Sequence, residues 1–512
     1  MKVKAIIGRR LGRVLHSSSA PLIVALTFVT AYIIIYGLVS ISRINHFDGV
    51  SGYDLSIPDQ GIWLMSQLKN PFSTIRGLHL FGDHTPYVYI LFVPVYWIWP
   101  DIRVLLFLHT AALAVGGLGV FLIARHVFSG GARSLVDNWA PAAFTLVYLL
   151  YPALNFLNMD LIFSESFAVP LIIFAFYFLL KSRYGLFQIL CALALLCKED
   201  AAATVFMLGL YAAVFHERKH GLIVCAMAVF WFGLNMGFLL KYFNGFGYFR
   251  HLYGYNALGR LGPTAYDAVQ KVNAQPSLLQ EILYTLDNRN YVLDIFSPVI
   301  FLPVLAPTVL LLCLPALGVN LISGYYYTHF IRYHYTAYLI PFIIISTIYG
   351  VRFFQHFRLT ASGRSVSAVV PIILLLLCVE VLMSQTIGGE LNIIKNPKGV
   401  ISLAADYRTY DNHVLVMLGA VSALPPEASV SATYNMLTHI AHRDKVYMFT
   451  SPFKPAYWGI NGENLPPEKP QYLLLDTPLL DKDGRAIVDA YVNNGTYSLI
   501  SKEDGIITLK RN

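Results

Sequence analysis

Ala20–Leu38, read APLIVALTFVTAYIIIYGL, is a run of nineteen residues without a single charge. About twenty consecutive apolar residues span the hydrocarbon core of a bilayer as a helix. The pattern recurs at Val104–Ile123, Leu161–Leu180 and Val366–Leu382. Over all 512 residues, 56% are hydrophobic and 13% charged, against roughly 45–50% and about 25% in soluble globular domains. That balance excludes a disordered chain, a secreted disulfide scaffold and an ordinary cytosolic enzyme. The chain reads as a polytopic α-helical membrane protein.

Charge placement orients it. Residues 1–386 hold 25 Lys and Arg against 16 Asp and Glu, while 387–512 hold 12 against 13. The excess therefore belongs to the membrane part, as the positive-inside rule expects. No basic stripe with interleaved aromatics is present, so no nucleic-acid partner is expected. The basic start (Lys2, Lys4, Arg9, Arg10, Arg13) precedes an apolar run longer than a signal peptide's 7–15-residue core, and it reads as a retained first helix. Basic clusters follow at Arg125/Arg133, Lys181/Arg183, Arg218/Lys219 and Arg352/Arg358/Arg364. With all five clusters in the cytoplasm, 43–86, 155–162, 198–200, 244–290, 323–334 and everything after 387 lie outside. This arrangement implies about eleven spans: 20–42, 104–124, 138–154, 163–180, 186–197, 201–216, 221–243, 291–305, 308–322, 335–353 and 367–386. The N-terminus is then cytoplasmic. Val88–Trp99, interrupted by Pro94, is too short to cross and reads as an interfacial or re-entrant helix, with Tyr96, Trp97 and Trp99 at headgroup level.

Residues 1–390 thus form the expected membrane domain, with outer loops 43–86 and 244–290, and 391–512 a small extracytoplasmic α/β domain. In the latter, Ala428–Thr433, Val446–Thr450, Tyr472–Asp476, Tyr497–Ser501 and Ile506–Leu509 read as strands. Helical stretches at 401–420, 435–442 and 484–493 are interleaved with them. Glu503-Asp504-Gly505 suits a hairpin turn. Cys191, Cys197, Cys225, Cys313 and Cys378 all sit in apolar runs, which fits packing rather than disulfides or metal binding.

Ionisable residues at a membrane edge are functional candidates, and here they gather on the outer side. The first loop supplies Asp54, Asp59, Asp83 and His84; Asp160 follows the third span and Glu165 opens the fourth. Lys198, Glu199 and Asp200 separate two short spans, and Arg332 and His334 precede the tenth. Each also has a structural reading. Asp54 could be a solvated loop residue, and Asp59 is expected to cap a helix starting near Gln60. Lys198-Glu199-Asp200 could be the polar turn of a helical hairpin, Arg332 and His334 headgroup anchors, and His84 a loop histidine bonded to backbone.

Several of these strings resemble motifs of a family of uncharacterised membrane proteins, domain of unknown function 2079. They are Tyr53–Trp63, Gly82–Pro86 with the short helix ending at Tyr96, Leu196–Asp200, Arg332–Tyr335, Ala428–Thr433 and His439–Arg443, in that order along the chain. At Phe163-Ser164-Glu165 the chain departs from the histidine–proline–glutamate pattern of that family, although Glu165 is retained. The family in turn resembles the GT-C class of integral-membrane glycosyltransferases, which place an aspartate in the first outer loop and use polyprenyl-phosphate sugars as donors.

The resemblance implies sugar transfer on the outer membrane face, with a polyprenyl-phosphate-linked donor and membrane lipid as partners. Asp54 would take the acceptor proton. Arg332, His334 or Lys198 would hold the leaving phosphate. Asp59, Asp83, His84, Glu165, Glu199 and Asp200 complete the candidate substrate-binding set. A divalent cation could be held if Asp54, Asp83 and His84 converge, but the spacing does not demand one. Two alternatives stay open: a transporter or lipid flippase with the same residues along a substrate path, and a non-catalytic assembly or sensor protein.

Overall fold

A computed structural model describes residues 17, 19–48, 52–129, 134–160, 162–245, 258–356, 369–387, 409–454 and 468–512. The basic clusters at 1–13, Arg133, Arg358 and Arg364 lie outside the described residues, as do 246–257 of the second outer loop and 401–408 of the expected helix 401–420.

In chain order the principal helices are α1 (Ala20–Asn45), α2 (Gly52–Ser66), α3 (Val93–Ile98), α4 (Ile102–Val127), α5 (Leu135–Leu149), α6 (Pro152–Asp160), α7 (Ser164–Leu180), α8 (Tyr184–Leu195), α9 (Ala201–Phe215), α10 (Arg218–Leu234), α11 (Leu286–Phe296), α12 (Leu314–Ile322), α13 (Ile340–His356), α14 (Val370–Ile387), α15 (Asn412–Ser422) and α16 (Lys482–Asn493). Among the described residues three helices are long and apolar enough to cross a membrane: Ala20–Asn45, Ile102–Val127 and Arg218–Asn244. The last continues α10 through a π-helical turn at Asn235–Leu239. A fourth is formed if α5 and α6, bent by 45° at their junction, count as one span. Ser164–Leu180, Tyr184–Leu195, Ala201–Phe215, Pro307–Ile322, Ile340–Gln355 and Val370–Met383 are shorter apolar helices that fall on expected spans.

The expected span 138–154 crosses the α5–α6 bend and 308–322 passes through a 3-10 turn at Leu311–Cys313, but the largest departure is at 291–305. Over 291–305 the chain runs through the end of α11 and then two short 3-10 turns, Ser297–Val299 and Leu302–Leu305. Pro298 and Pro303 cannot donate helical hydrogen bonds, and Ile300 and Phe301 between the turns have φ of 52° and 53°. Val88–Trp99 is likewise broken, into a 3-10 segment Tyr87–Phe92 and α3, with Trp97 and Trp99 exposed.

Contacts divide the chain into two compact units. The first comprises 1–38, 108–233 and 255–403. At the start of α5, Ser134 and Asp137 form a reciprocal capping box.

The second unit comprises 39–107, 234–254 and 404–512, so the segment expected as the first outer loop packs with the C-terminal segment. Its centre is a five-stranded sheet of β3 (Val430–Ala432), β4 (Val446–Met448), β5 (Tyr472–Asp476), β6 (Tyr497–Glu503) and β7 (Ile506–Arg511), after a two-stranded ladder of β1 (Phe72–Ser73) and β2 (Leu78–His79). The order is β4-β3-β5-β7-β6, parallel among the first three and antiparallel beyond.

β5 explains the layering. Successive side chains of a strand point to opposite faces. Leu474 enters one core with Val414 and Met417 of α15 and with Met436 and Leu437, while Leu473 and Leu475 enter another with Val488 of α16. Phe47 and Ile75 of the first loop complete the former core. The β6–β7 turn is the two-residue kind in which both central residues need positive φ; Asp504 and Gly505 have φ of 45° and 81°.

Candidate functional site

The candidate residues form one cluster in each unit. In the second unit they are carried by α2. This helix begins at Gly52, not near Gln60, so Asp59 sits in mid-helix and is not its cap. Gly52 is needed because a Cβ there would lie 1.7 Å from the Tyr434 carbonyl oxygen. Asp54 is in the first turn and exposed. Pro58 has no N–H to offer the Asp54 carbonyl four residues back, which weakens the helical ladder at that turn.

Asp59 is 0% exposed. Its Oδ1 accepts from the Tyr96 hydroxyl at 2.6 Å and from His442 Nε2 at 2.9 Å. Tyr96, expected at the lipid headgroups, is instead buried and anchors this carboxylate. The His442 ring lies parallel to that of Trp63, centroids 5.8 Å apart. Burial works against protonation of His442, but the charge and hydrogen bond of Asp59, helped by Asp101, outweigh it and raise its pKa above the ordinary value. The neighbouring Gln60 donates to the Arg443 carbonyl at 3.1 Å and to Thr74 Oγ1 at 3.0 Å, and accepts from Ser73 Oγ at 2.9 Å.

Asp83 is gripped by both arms of the buried Arg76, Nε to Oδ2 at 2.9 Å and Nη2 to Oδ1 at 3.0 Å. His84 follows it as the C-cap of a four-residue turn. Among the described residues no group of three His, Cys, Asp or Glu side chains could hold a metal ion, so Asp54, Asp83 and His84 do not converge into such a site.

In the first unit a buried charge cluster joins the end of α6, the start of α7, the α8–α9 connection and the turn before α13. Lys198 Nζ lies 2.9 Å from Glu165 Oε1 and 3.8 Å from Asp200 Oδ2. His334 Nε2 is 3.5 Å from the same Glu165 oxygen, and its Nδ1 is 3.8 Å from Asp160 Oδ2. Ser164, which stands where the family pattern has another residue, donates to Glu165 Oε2 at 3.3 Å. Glu165, Lys198 and Glu199 are buried, and Asp200 is half-exposed. Arg332 is exposed and has no ion pair among the described residues. Beside it Tyr325, Tyr326, Tyr327, Tyr333 and Tyr335 pack edge to face, with centroids 4.8–6.0 Å apart.

Of the three cations considered for phosphate binding, Lys198 and His334 are thus committed to carboxylates and Arg332 is not. Sequence reasoning did not single out Arg76, read Tyr96 as a headgroup-level residue, and assigned no partner to Asp160 or to His442, although the latter lies in a family-like string. The available signal was density of ionisable groups: His439, His442, Arg443 and Asp444 fall within six residues.

Residues 49–508 match the family described as predicted membrane protein (DUF2079), and the chain belongs to it. Among solved structures it is similar to ArnT from Cupriavidus metallidurans bound to undecaprenyl phosphate, with TM-score 0.50 at 11% identity over 94% of this chain and 97% of that one. The apo form of the same protein gives TM-score 0.43 at 12% identity, over 94% and 98%. The chain therefore has an ArnT-like membrane-protein fold. No curated protein matches its sequence.

Proposed function

We propose that this DUF2079 protein is a GT-C-type membrane glycosyltransferase, moving a sugar from a polyprenyl-phosphate donor to an acceptor on the outer face of the membrane. Its N-terminus is cytoplasmic and its C-terminal domain extracytoplasmic in this reading, with 1–390 as the membrane domain and 391–512 outside. Family membership supports the reading, as does a fold shared with a protein that binds undecaprenyl phosphate.

The observation that carries it is the division of charge. Internal pairs hold Lys198, His334 and Glu165, while the Arg332 guanidinium remains exposed beside a bank of tyrosines. A guanidinium grips phosphate oxygens bidentately and keeps its charge near lipid. In the transfer step an acceptor hydroxyl attacks the anomeric carbon, the bond from that carbon to the donor phosphate oxygen breaks, and the acceptor proton passes to the Asp54 carboxylate. Arg332 stabilises the charge that collects on the departing polyprenyl phosphate.

The test uses the purified full chain in lipid nanodiscs with a labelled polyprenyl-phosphate sugar. Asp54→Asn keeps the shape of the side chain but cannot take the proton, so transfer falls by roughly 10²–10⁴-fold with membrane insertion intact. Asp54→Ala behaves alike. Near-normal turnover by Asp54→Asn overturns the base assignment.

A further inference from the structure

Asp59 and His442 take no part in the transfer step, yet Asp59 is a carboxylate with 0% exposure. A carboxylate without solvent stays charged only if its partners compensate it. No Lys or Arg reaches Asp59; its Oδ1 has the Tyr96 hydroxyl and His442 Nε2, and its Oδ2 has no hydrogen-bond partner among the described residues. The side chain placed to balance a charge on Asp59 is therefore His442, whose Nε2 lies 2.9 Å from Oδ1. That ring is accessible on one edge, with 27% of its side-chain surface exposed.

The pair also has leverage. Asp59 and Asp54 belong to the same helix, α2, which packs Tyr53 and Ile57 on the core of Met436 and Leu437 and meets residues 434–443 at three polar or backbone points. Gly52 lies under the Tyr434 carbonyl, Gln60 donates to the Arg443 carbonyl, and Asp59 meets His442. The first two do not titrate; the third does.

We propose that the Asp59–His442 pair is a proton-controlled latch on α2, and that His442 is a positioning residue whose protonated form fixes the turn carrying Asp54. Its catalytic consequence rests on the reading of Asp54 as the base; the latch itself does not. The groups facing His442 set its direction. From α2 come Asp59 and the Trp63 ring, over which Lys69 sits at 5.6 Å. From α3 comes the Tyr96 ring at 5.7 Å, and from the start of α4 Asp101, itself bonded to Arg103. Arg443 on its own segment opposes protonation.

Burial and Arg443 lower the pKa, Asp59 and Asp101 raise it, and the balance is upward. A histidine with a raised folded pKa contributes fully below its unfolded value of about 6.5, and the contribution is lost as pH rises through the folded value. Neutral His442 can keep its proton on Nε2, so the contact weakens without breaking.

Backbone hydrogen exchange of residues 52–66, corrected for intrinsic rates, tests this in the full chain in nanodiscs between about pH 5.5 and 8.5. Wild type is expected to lose roughly tenfold protection of α2 for each pH unit by which the folded pKa exceeds the unfolded one. His442→Gln, which still donates to Asp59 but cannot titrate, flattens the profile near the high-pH level, and Asp59→Asn flattens it as well. The pH profile of kcat shifts in parallel while KM for the donor does not. A wild-type profile without slope overturns the latch, as does an unchanged slope in either variant. If no transfer is detected at all, the function reading fails, and the exchange profile still decides the latch.

Discussion

Replacing Lys198 by methionine isolates the energetics of the buried charge cluster. Glu165 is 3% exposed and its Oε1 depends on Lys198 Nζ at 2.9 Å, with His334 Nε2 a longer 3.5 Å away. Removing one partner of a buried ion pair costs about 3–5 kcal/mol, because the other charge is left without water or counter-ion. Here the nearby imidazole and the Ser164 hydroxyl offset part of the loss, so Lys198→Met is expected at the low end, about 3 kcal/mol. Glu165→Met costs less, since Lys198 retains the half-exposed Asp200 at 3.8 Å. Replacing both charges by methionine removes the desolvation cost together with the attraction, which is often neutral or stabilising. The double variant is therefore expected to be more stable than Lys198→Met alone, with a coupling energy of roughly 2 kcal/mol or more between sites in direct contact.

The measurement is reversible unfolding of all four proteins in mixed lipid–detergent micelles, with lipid-phosphate affinity recorded in parallel. If Lys198→Met lies within about 1 kcal/mol of wild type, the range of a solvated surface pair, the buried pairing is refuted. If that stable variant also loses lipid-phosphate affinity, Lys198 is a donor ligand, as the sequence first suggested.

Two further outcomes concern Arg332 and His413. Arg332→Lys keeps the charge but loses the planar fork, so affinity for polyprenyl phosphate should fall severalfold, and Arg332→Ala should fall further; full recovery with Lys makes the fork unnecessary, and normal binding by Ala removes Arg332 as a ligand. From the first turn of α15, His413 places Nε2 3.2 Å from Asp476 Oδ2 and Nδ1 3.1 Å from Asp504 Oδ2; burial lowers its pKa, but both carboxylates outweigh that and raise it. The stabilisation is therefore complete below about pH 6.5 and lost as pH rises through the raised value, so the Tm gap between wild type and His413→Gln should shrink by on the order of 2–4 °C on going alkaline, whereas a gap independent of pH refutes the pairing.

What was legible in the sequence was local. The five strands were readable because alternating or uniformly apolar runs end at turn residues, and Asp504-Gly505 announces its own turn type. Nearly all apolar runs became helices where expected, since about twenty residues of one character leave little choice. Over 291–305 hydrophobicity misled because Pro298 and Pro303 break the ladder while leaving the composition apolar. Asp59 misled for a related reason: Pro-Asp before an apolar run has the look of a helix start, yet the helix begins at Gly52, eight residues before Gln60. The partnerships were beyond reach. Asp59 and His442 are 383 residues apart, and Glu165 and Lys198 33 apart, with no periodicity to connect them.

The two first-loop aspartates show why one short helix needs both. At about 100° per residue, positions five apart lie about 140° apart around a helix axis. Asp54 and Asp59 must then occupy nearly opposite faces of α2, and the structure has the former exposed and the latter buried. A carboxylate meant to accept a proton has to stay accessible, which deprives it of the packing that would fix its position. A carboxylate that is fixed by burial is inaccessible to substrate. Under the proposed mechanism, placing both on one helix separates the tasks: Asp59, with Tyr96 and His442, sets where the helix lies, and Asp54 is left to act from the exposed face. On this reasoning Asp59→Asn and Asp54→Asn are not equivalent losses: the first loosens the helix and its pH response, the second removes the base from a helix that is still in place.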